Sequence, residues 1–331
     1  MSALKSAIIG CGLIHKSHVK GIEASEYATL SAVCDIDRAA ADKAANENAV
    51  KAYYSIDELL NDGEFDVLHI CTPHYLHAEM AIKAMQHKKH VICEKPMAIH
   101  SADARKMIEA AKENGVLLGV SFQNRYNSSS IYIKELLKSG RMGKIIGARA
   151  FVTWDRSEKY YALADWRGKI ATEGGGVLIN QAIHTLDLMQ WFIDSPAKEI
   201  KSSISTKRLE GFVETEDTAD ALITFENGVR AVFFATVCYT NNAPIMLELH
   251  CENGTILLAD KLRVKIKGED EIELDVNRPT CEKDYWGTGH GCLINEFYKA
   301  VLENRPFAID GEEAIKAVEI VEAIYNYARK N

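Results

Sequence analysis

The chain has 331 residues, enough for two domains at roughly 150 residues each. Hydrophobic residues make up 47% and charged residues 26%, the balance of an ordinary soluble globule. The net charge of −8, without any basic block, argues against a nucleic-acid partner or an anionic membrane surface.

The first 120 or so residues alternate short apolar runs with Ala/Lys/Glu-rich segments. Strands are predicted at Ser6–Ile9, Leu30–Cys34, Val67–Cys71, His90–Cys93 and Val116–Val120. Helices are predicted at Arg38–Asn48, Leu76–His87 and Ser101–Asn114. Short apolar strands separated by amphipathic helices imply a parallel sheet covered on both faces. After about Phe122 the rhythm changes. Ser128–Ser130 can cap a helix that ends before Gly140. Lys144–Trp154 alternates like a strand, and Gly174–Ile193 carries a helix. Strands follow around Ile200–Thr206, Thr218–Phe225, Val229–Val237, Met246–Cys251 and Thr255–Leu258. Asn227-Gly228 and Asn253-Gly254 read as tight hairpins with positive φ at both turn positions. A helix over Glu312–Arg329 closes the chain. The expected fold class is α/β: a doubly wound parallel-sheet domain of the Rossmann type at residues 1–122, then an α+β domain at 123–331 built on a large, mostly antiparallel open sheet.

The longest uncharged stretch, Ala231–Leu247, contains Asn241, Asn242 and Pro244 and makes a poor bilayer helix. Ala7-Ile8-Ile9 runs into a glycine motif rather than a cleavage site, so no signal peptide is expected. The eight cysteines show neither a C-x-x-C pair nor Cys/His zinc spacing, so no metal is expected. Several lie in apolar runs, the habit of small buried hydrophobes in a reducing, cytoplasmic compartment.

Gly10-Cys11-Gly12-Leu13-Ile14-His15 follows the first strand. In a dinucleotide fold the first glycine makes the tight turn and the second lets the backbone approach a pyrophosphate at a helix N-terminus. The third glycine position holds His15, so the pattern is incomplete. It will either contact a phosphate or mark a looser turn. Asp35, at the end of the second strand, is placed to accept from ribose hydroxyls and to repel a 2′-phosphate, favouring NAD over NADP. Two more strand ends are polar: Thr72-Pro73-His74-Tyr75-Leu76-His77 and Glu94-Lys95-Pro96. Lys95 would stand at the sheet's C-terminal rim, although a lysine before proline is by itself commonly a surface residue. Gly174-Gly175-Gly176 opens a helix on which Asn180, His184 and Asp187 fall at i, i+4 and i+7, one polar face. Spacing alone also fits a histidine packed against a neighbouring element.

Together these sets resemble the glucose–fructose oxidoreductase / inositol dehydrogenase / MocA family. The resemblance runs nearly end to end, through Gln123-Asn124-Arg125-Tyr126, Trp166-Arg167, Asn304-Arg305-Pro306 and Asp310-Gly311-Glu312-Glu313-Ala314. It implies an oxidoreductase that transfers hydride between a secondary alcohol of a sugar, sugar acid or cyclitol and NAD. It also implies Lys95 and His184 as the catalytic pair. The family often has Asp where this chain has Asn180, which puts in doubt any charge shared between positions 180 and 184. Gly10, Gly12, Leu13, Ile14, Asp35, Thr72, Pro73, His77, Glu94, Lys95, Gln123, Trp166 and Arg167 are expected at the cofactor. Lys95, Arg125, Tyr161, Asn180, His184 and His290 are expected at the substrate, with Tyr285 and Trp286 as further aromatic candidates. Packing serves equally well as a role for these aromatics. A redox-neutral enzyme that oxidises its sugar transiently is the alternative, and a non-catalytic dinucleotide sensor is a further one. Family analogy implies a homodimer or homotetramer.

Overall fold

A computed structural model describes residues 3–276 and 289–330. The described chain divides into two compact units. The first contains residues up to 123 together with 289–315; the second contains 124–276 and 316–330.

The first unit is built on a parallel sheet. Its strands are β1 (Leu4–Ile9), β2 (Ala28–Cys34), β3 (Lys51–Tyr53), β4 (Val67–Ile70), β5 (His90–Cys93) and β6 (Leu118–Val120), in the order β3-β2-β1-β4-β5-β6. All neighbours are parallel. This is the doubly wound dinucleotide-binding order, in which the chain changes direction between β1 and β4. Helices α1 (His15–Glu23), α2 (Arg38–Asn48), α3 (Ile56–Asp62), α4 (His77–Gln86) and α5 (Ser101–Asn114) make the crossovers. Val67, Leu68 and Ile70 of β4 are fully buried, as expected where helices cover both faces. The five predicted strands are all present. β3 and α3 were not anticipated: three residues with an exposed lysine are too short to show a period.

The segment that returns to this unit is a helix from the far end of the chain, Gly289–Leu302, which packs on α1. The two come so close that a Cβ on Gly21 would sit 2.5 Å from Ile294 Cδ1. Helix packing of this kind leaves no local mark in the sequence of either helix.

In the second unit come α6 (Ser128–Lys138), β7 (Ile145–Thr153), α7 (Glu158–Tyr161), α8 (Ile170–Glu173), a π-helical turn at Leu178–Ala182 and α9 (Ile183–Ile193). Strands β8 (Ala197–Ser205), β9 (Thr218–Phe225), β10 (Arg230–Thr236), β11 (Met246–Cys251), β12 (Gly254–Leu258), β13 (Lys261–Ile266) and β14 (Ile272–Asp275) follow. The returning helix Gly289–Leu302 is α10, and Gly311–Ala328 is α11. The eight strands pair as β14-β13-β12-β11-β7-β10-β9-β8. Only β7 and β10 are parallel. β9 and β10 alternate buried with more exposed positions, so one face carries the core, with α9 packed on β7. The other face is open: Ile146 is 61% and Val232 46% exposed.

The hairpins differ from expectation. At Asn227-Gly228 only Gly228 has positive φ, +87°, because the Gly228 amide closes a longer turn on the Phe225 carbonyl. At Asn253-Gly254 neither residue does. Gly254 is instead needed for room, since a Cβ there would lie 1.9 Å from the Lys265 carbonyl oxygen on β13.

Among the described residues no helix is long and apolar enough to cross a membrane.

Candidate active site

In the first unit, the strand ends at the C-terminal edge of the sheet supply the candidate cofactor residues. Gly10 has φ +94°, and a Cβ on it would lie 2.6 Å from the Cys71 carbonyl. Backbone conformation and the neighbouring strand therefore both demand glycine here. Gly12 is different. A Cβ on it would meet no protein atom within 4 Å, so the protein's own packing does not require this glycine and a ligand can approach its backbone. Asp35 holds the turn: Cys11 N–H donates to Oδ2 at 2.7 Å and Asp37 N–H to Oδ1 at 2.9 Å. Ile14 is the N-cap of α1, and Leu13 is 67% exposed beside it. The His15 ring bonds back to the Gly12 carbonyl, so this side chain shapes the turn from within. Arg38 stacks on the Tyr54 ring, its guanidinium carbon 4.1 Å from the ring centre.

Thr72-Pro73 and Glu94-Lys95-Pro96 follow β4 and β5, and His77 ties the two loops together. It is fully buried, with Nδ1 2.7 Å from the Pro96 carbonyl oxygen and Nε2 2.9 Å from that of Thr72. Burial lowers its proton affinity against the pull of those carbonyls. His77 thus holds the cofactor-side loops in register. Gln123 is buried, and its Oε1 has no hydrogen-bond partner among the described residues. A buried orphan acceptor, an open Gly12 and a carboxylate at the second strand end fit a dinucleotide.

Glu94 lies at the end of a buried hydrogen-bond chain that the sequence did not reveal. Ser6 Oγ is 2.8 Å from Tyr298 Oη, which is 2.6 Å from His69 Nε2. His69 Nδ1 is 2.8 Å from His18 Nδ1, and His18 Nε2 is 3.0 Å from Glu94 Oε1. One assignment satisfies every link: each group donates toward the carboxylate, from the Ser6 hydroxyl through Tyr298, His69 and His18. Burial lowers both imidazoles' proton affinity, keeping them neutral. Burial also pushes Glu94 up, but His18 and His290 outweigh it and hold this carboxyl well below its ordinary value. His290 Nε2 lies 3.6 Å from Glu94 Oε1. One ligand atom each from His18, Glu94 and His290 falls within 4.8 Å, a metal-like grouping whose carboxylate is already engaged by His18. His290, expected at the substrate, thus packs beside Glu94 at the start of α10.

The second unit provides the other candidate group. From Glu173 through Gln190 every residue is buried except Asn180 and His184. The π-helical turn at Leu178–Ala182 carries Asn180, and α9 carries His184. Such wide turns alter the helical phase locally and are frequent at functional sites. Asp187 does not share this face. It is buried and takes a two-pronged ion pair from Arg125, with Nε donating to Oδ2 at 2.7 Å and Nη2 to Oδ1 at 2.6 Å. The expected polar face is therefore two residues rather than three. Arg125, expected at the substrate, is committed to Asp187 and stacks over Trp191.

Glu216 anchors the glycine run: Gly176 N–H donates to Oε2 at 2.9 Å, Leu178 N–H to Oε1 at 3.1 Å, and the Tyr325 hydroxyl to Oε1 at 2.8 Å. Glu173 accepts from Asn180 Nδ2 at 2.5 Å. Neither glutamate was legible in the sequence: Glu216 reaches the run from far along the chain, and Glu173 meets Asn180 only because of the path the chain takes through the glycine run between them. Tyr161 is buried, and its hydroxyl has no partner among the described residues. Arg167 stacks on Tyr160 and Trp166 and donates to the Tyr160 carbonyl at 3.1 Å. Tyr285 and Trp286 lie outside the described residues.

Comparison with known proteins agrees with this geometry. A family profile described as GFO/IDH/MocA oxidoreductase, NAD-binding Rossmann fold, matches residues 4–122, and the GFO/IDH/MocA C-terminal domain matches residues 131–257. The 1,5-anhydro-D-fructose reductase of Ensifer adhaerens is 30% identical over 245 residues, 70% of this chain and 71% of that protein. Inositol 2-dehydrogenase of Salmonella typhimurium is 27% identical, over 67% of this chain and 66% of its own length. The crystal structure of the WlbA dehydrogenase from Bordetella pertussis, in complex with NADH and UDP-GlcNAcA, is 29% identical. It superposes with a TM-score of 0.86 over 99% of this chain and 97% of that one.

Proposed function

The chain belongs to the GFO/IDH/MocA oxidoreductase family, and we propose that it is an NAD-dependent dehydrogenase of a sugar, sugar acid or cyclitol in which Lys95 and His184 carry the proton chemistry. The observation that carries this reading is the partial exposure of Asn180 and His184 alone in a segment otherwise buried from Glu173 to Gln190. A segment that buries its other residues and leaves an amide and an imidazole accessible is presenting them to something.

Gly10, Gly12, Leu13, Ile14, Asp35, Thr72, Pro73 and Gln123 would hold the dinucleotide. Asp35 favours NAD over NADP, because its carboxylate welcomes ribose hydroxyls and repels a phosphate. The bound nicotinamide supplies the hydride acceptor. His184 removes the proton from the reacting hydroxyl. Lys95 hydrogen-bonds the same oxygen and stabilises its developing negative charge. The neutral Asn180 orients a hydroxyl rather than taking up a proton. Trp166 and Arg167 are assigned to the cofactor and Tyr161 to the substrate.

The relatives' names set the substrate panel: myo-inositol, levoglucosan, 1,5-anhydro sugars and a UDP-linked hexuronic acid. We expect one class to reduce NAD⁺ at 340 nm far better than NADP⁺. Lys95→Ala and His184→Ala should each lose roughly 10²–10⁴-fold in kcat. Substrate loss without a 340 nm signal would point instead to the redox-neutral reaction. NADH binding without turnover of any panel member would point to a sensor.

A second copy of the chain is the proposed partner, covering the open sheet face around Ile146, Val232, Phe151 and Phe234. Light scattering on the purified protein should give a dimer or tetramer. A reducing, cytoplasmic setting, expected from cysteine usage, completes the proposal.

A further inference from the structure

Asn180 shares the partly exposed helix face with His184, yet an amide neither takes up a proton nor carries charge. A carboxylate lies directly behind it. Glu173 closes α8, is 0% exposed, and accepts from Asn180 Nδ2 through Oε1 at 2.5 Å. Its Oε2 accepts from Gly168 N–H, also at 2.5 Å. With both oxygens engaged, the plane of the carboxylate is fixed. An ionised carboxylate offers only acceptors, so the NH₂ arm of Asn180 must point toward Glu173 and the carbonyl arm away from it.

We propose that Glu173 is a positioning residue: it locks the Asn180 amide so that its carbonyl oxygen serves as the acceptor for a substrate O–H. This rests on the reading that Asn180 and His184 face the substrate. It narrows the ligand chemistry at that position to a neutral hydroxyl. A carboxylate or phosphate there would meet the amide oxygen with the Glu173 charge behind it.

The arrangement depends on Glu173 being ionised. Burial pushes its carboxyl up to about 7, against the pull of Gly168 N–H, Asn180 and the Arg167 charge, while Glu216 adds to the rise. Tyr161 and Tyr325, the other titratable groups facing it, are raised by burial and stay neutral. Below neutrality Glu173 gains a proton and the amide is no longer locked.

The test begins with the intact protein and needs no substrate. The Asn180 side-chain amide, followed by ¹⁵N NMR and assigned with Asn180→Asp, should shift with a midpoint near 7 in the wild type and not in Glu173→Gln. In turnover of NAD⁺ with myo-inositol or levoglucosan, Glu173→Gln should lower kcat at least about tenfold, leave the KM for NAD⁺ unchanged and remove the step near 7 from the pH profile, while the acid limb given by protonation of His184 remains. Glu173→Gln/Asn180→Asp, which returns a carboxylate to the pair, should recover most of the loss. An Asn180 amide indifferent to pH, or a double variant no better than the single one, would overturn the proposal. If Lys95→Ala and His184→Ala abolish turnover while Glu173→Gln keeps wild-type kcat and pH profile, the positioning role fails and the dehydrogenase reading stands. If the amide titrates as expected but Lys95→Ala and His184→Ala leave turnover intact, the reverse holds.

Discussion

Asp187 shows how burial reassigns a residue that sequence placed at the ligand. Its i+7 spacing from Asn180 suggested a shared polar face, yet its carboxylate is buried against Arg125. A buried ion pair is costly to break from one side, because the remaining charge keeps its desolvation penalty. Asp187→Asn should therefore destabilise the protein by about 3–5 kcal/mol. Chemical denaturation would measure this, with little change in the midpoint expected if Arg125 were solvated instead. Asp35 makes the opposite point. Its position at the second strand end was legible, but the bond it accepts from Cys11 N–H was not, because that depends on how the glycine turn folds back. The pairing of Glu173 with Asn180 was likewise invisible: the two are seven positions apart and belong to different helical segments.

At the scale of elements, the glycine turn between β1 and α1 is the most constrained junction. Gly10→Ala would force a side chain into positive φ, with its Cβ 2.6 Å from the Cys71 carbonyl. Left-handed strain of this kind costs of order 1–3 kcal/mol before the clash is counted. We expect the variant to melt lower and to bind NADH more weakly in a fluorescence titration; unchanged binding would mean that the turn does not hold the dinucleotide. The predicted strands were correct where apolar runs were long or alternated cleanly, as in β1, β4, β9 and β10. β13 escaped notice because lysine and arginine fill its more exposed positions, and β14 because its four residues are too few to show a period. The π-helical turn at Leu178–Ala182 left no signal, since the same residues would satisfy an ordinary α-helix.

Across the whole molecule, buried imidazoles set the pH response. Burial is the main cause holding His18, His69, His77 and His90 below their ordinary value of 6.5. As pH falls through that value the unfolded chain takes up protons that the folded chain refuses, so unfolding becomes easier. Glu173 and Glu216, both raised mainly by burial, act in the other direction. Between their ordinary 4.5 and their raised values they hold protons that the unfolded chain has released, which favours folding as pH falls. Four imidazoles against two carboxyls leave a net loss, so melting temperature should fall from about pH 7 toward about pH 5. Glu173→Gln should steepen that fall, whereas a melting temperature that rises on acidification would refute the balance.

The sequence by itself determined the parallel sheet, the glycine turn with its acidic partner, the polar strand ends and the helix bearing Asn180 and His184. Each of these is written in local periodicity or in a short motif. The tertiary structure alone decided that α10 returns to the first unit and that a proton-donating chain ends on Glu94. It alone also decided that Asp187 turns inward and that Glu173 stands behind Asn180. These are pairings between separate elements, most of them distant along the chain, and burial fixes them. The cost of desolvating a charge selects its partner only once the fold has brought the two together.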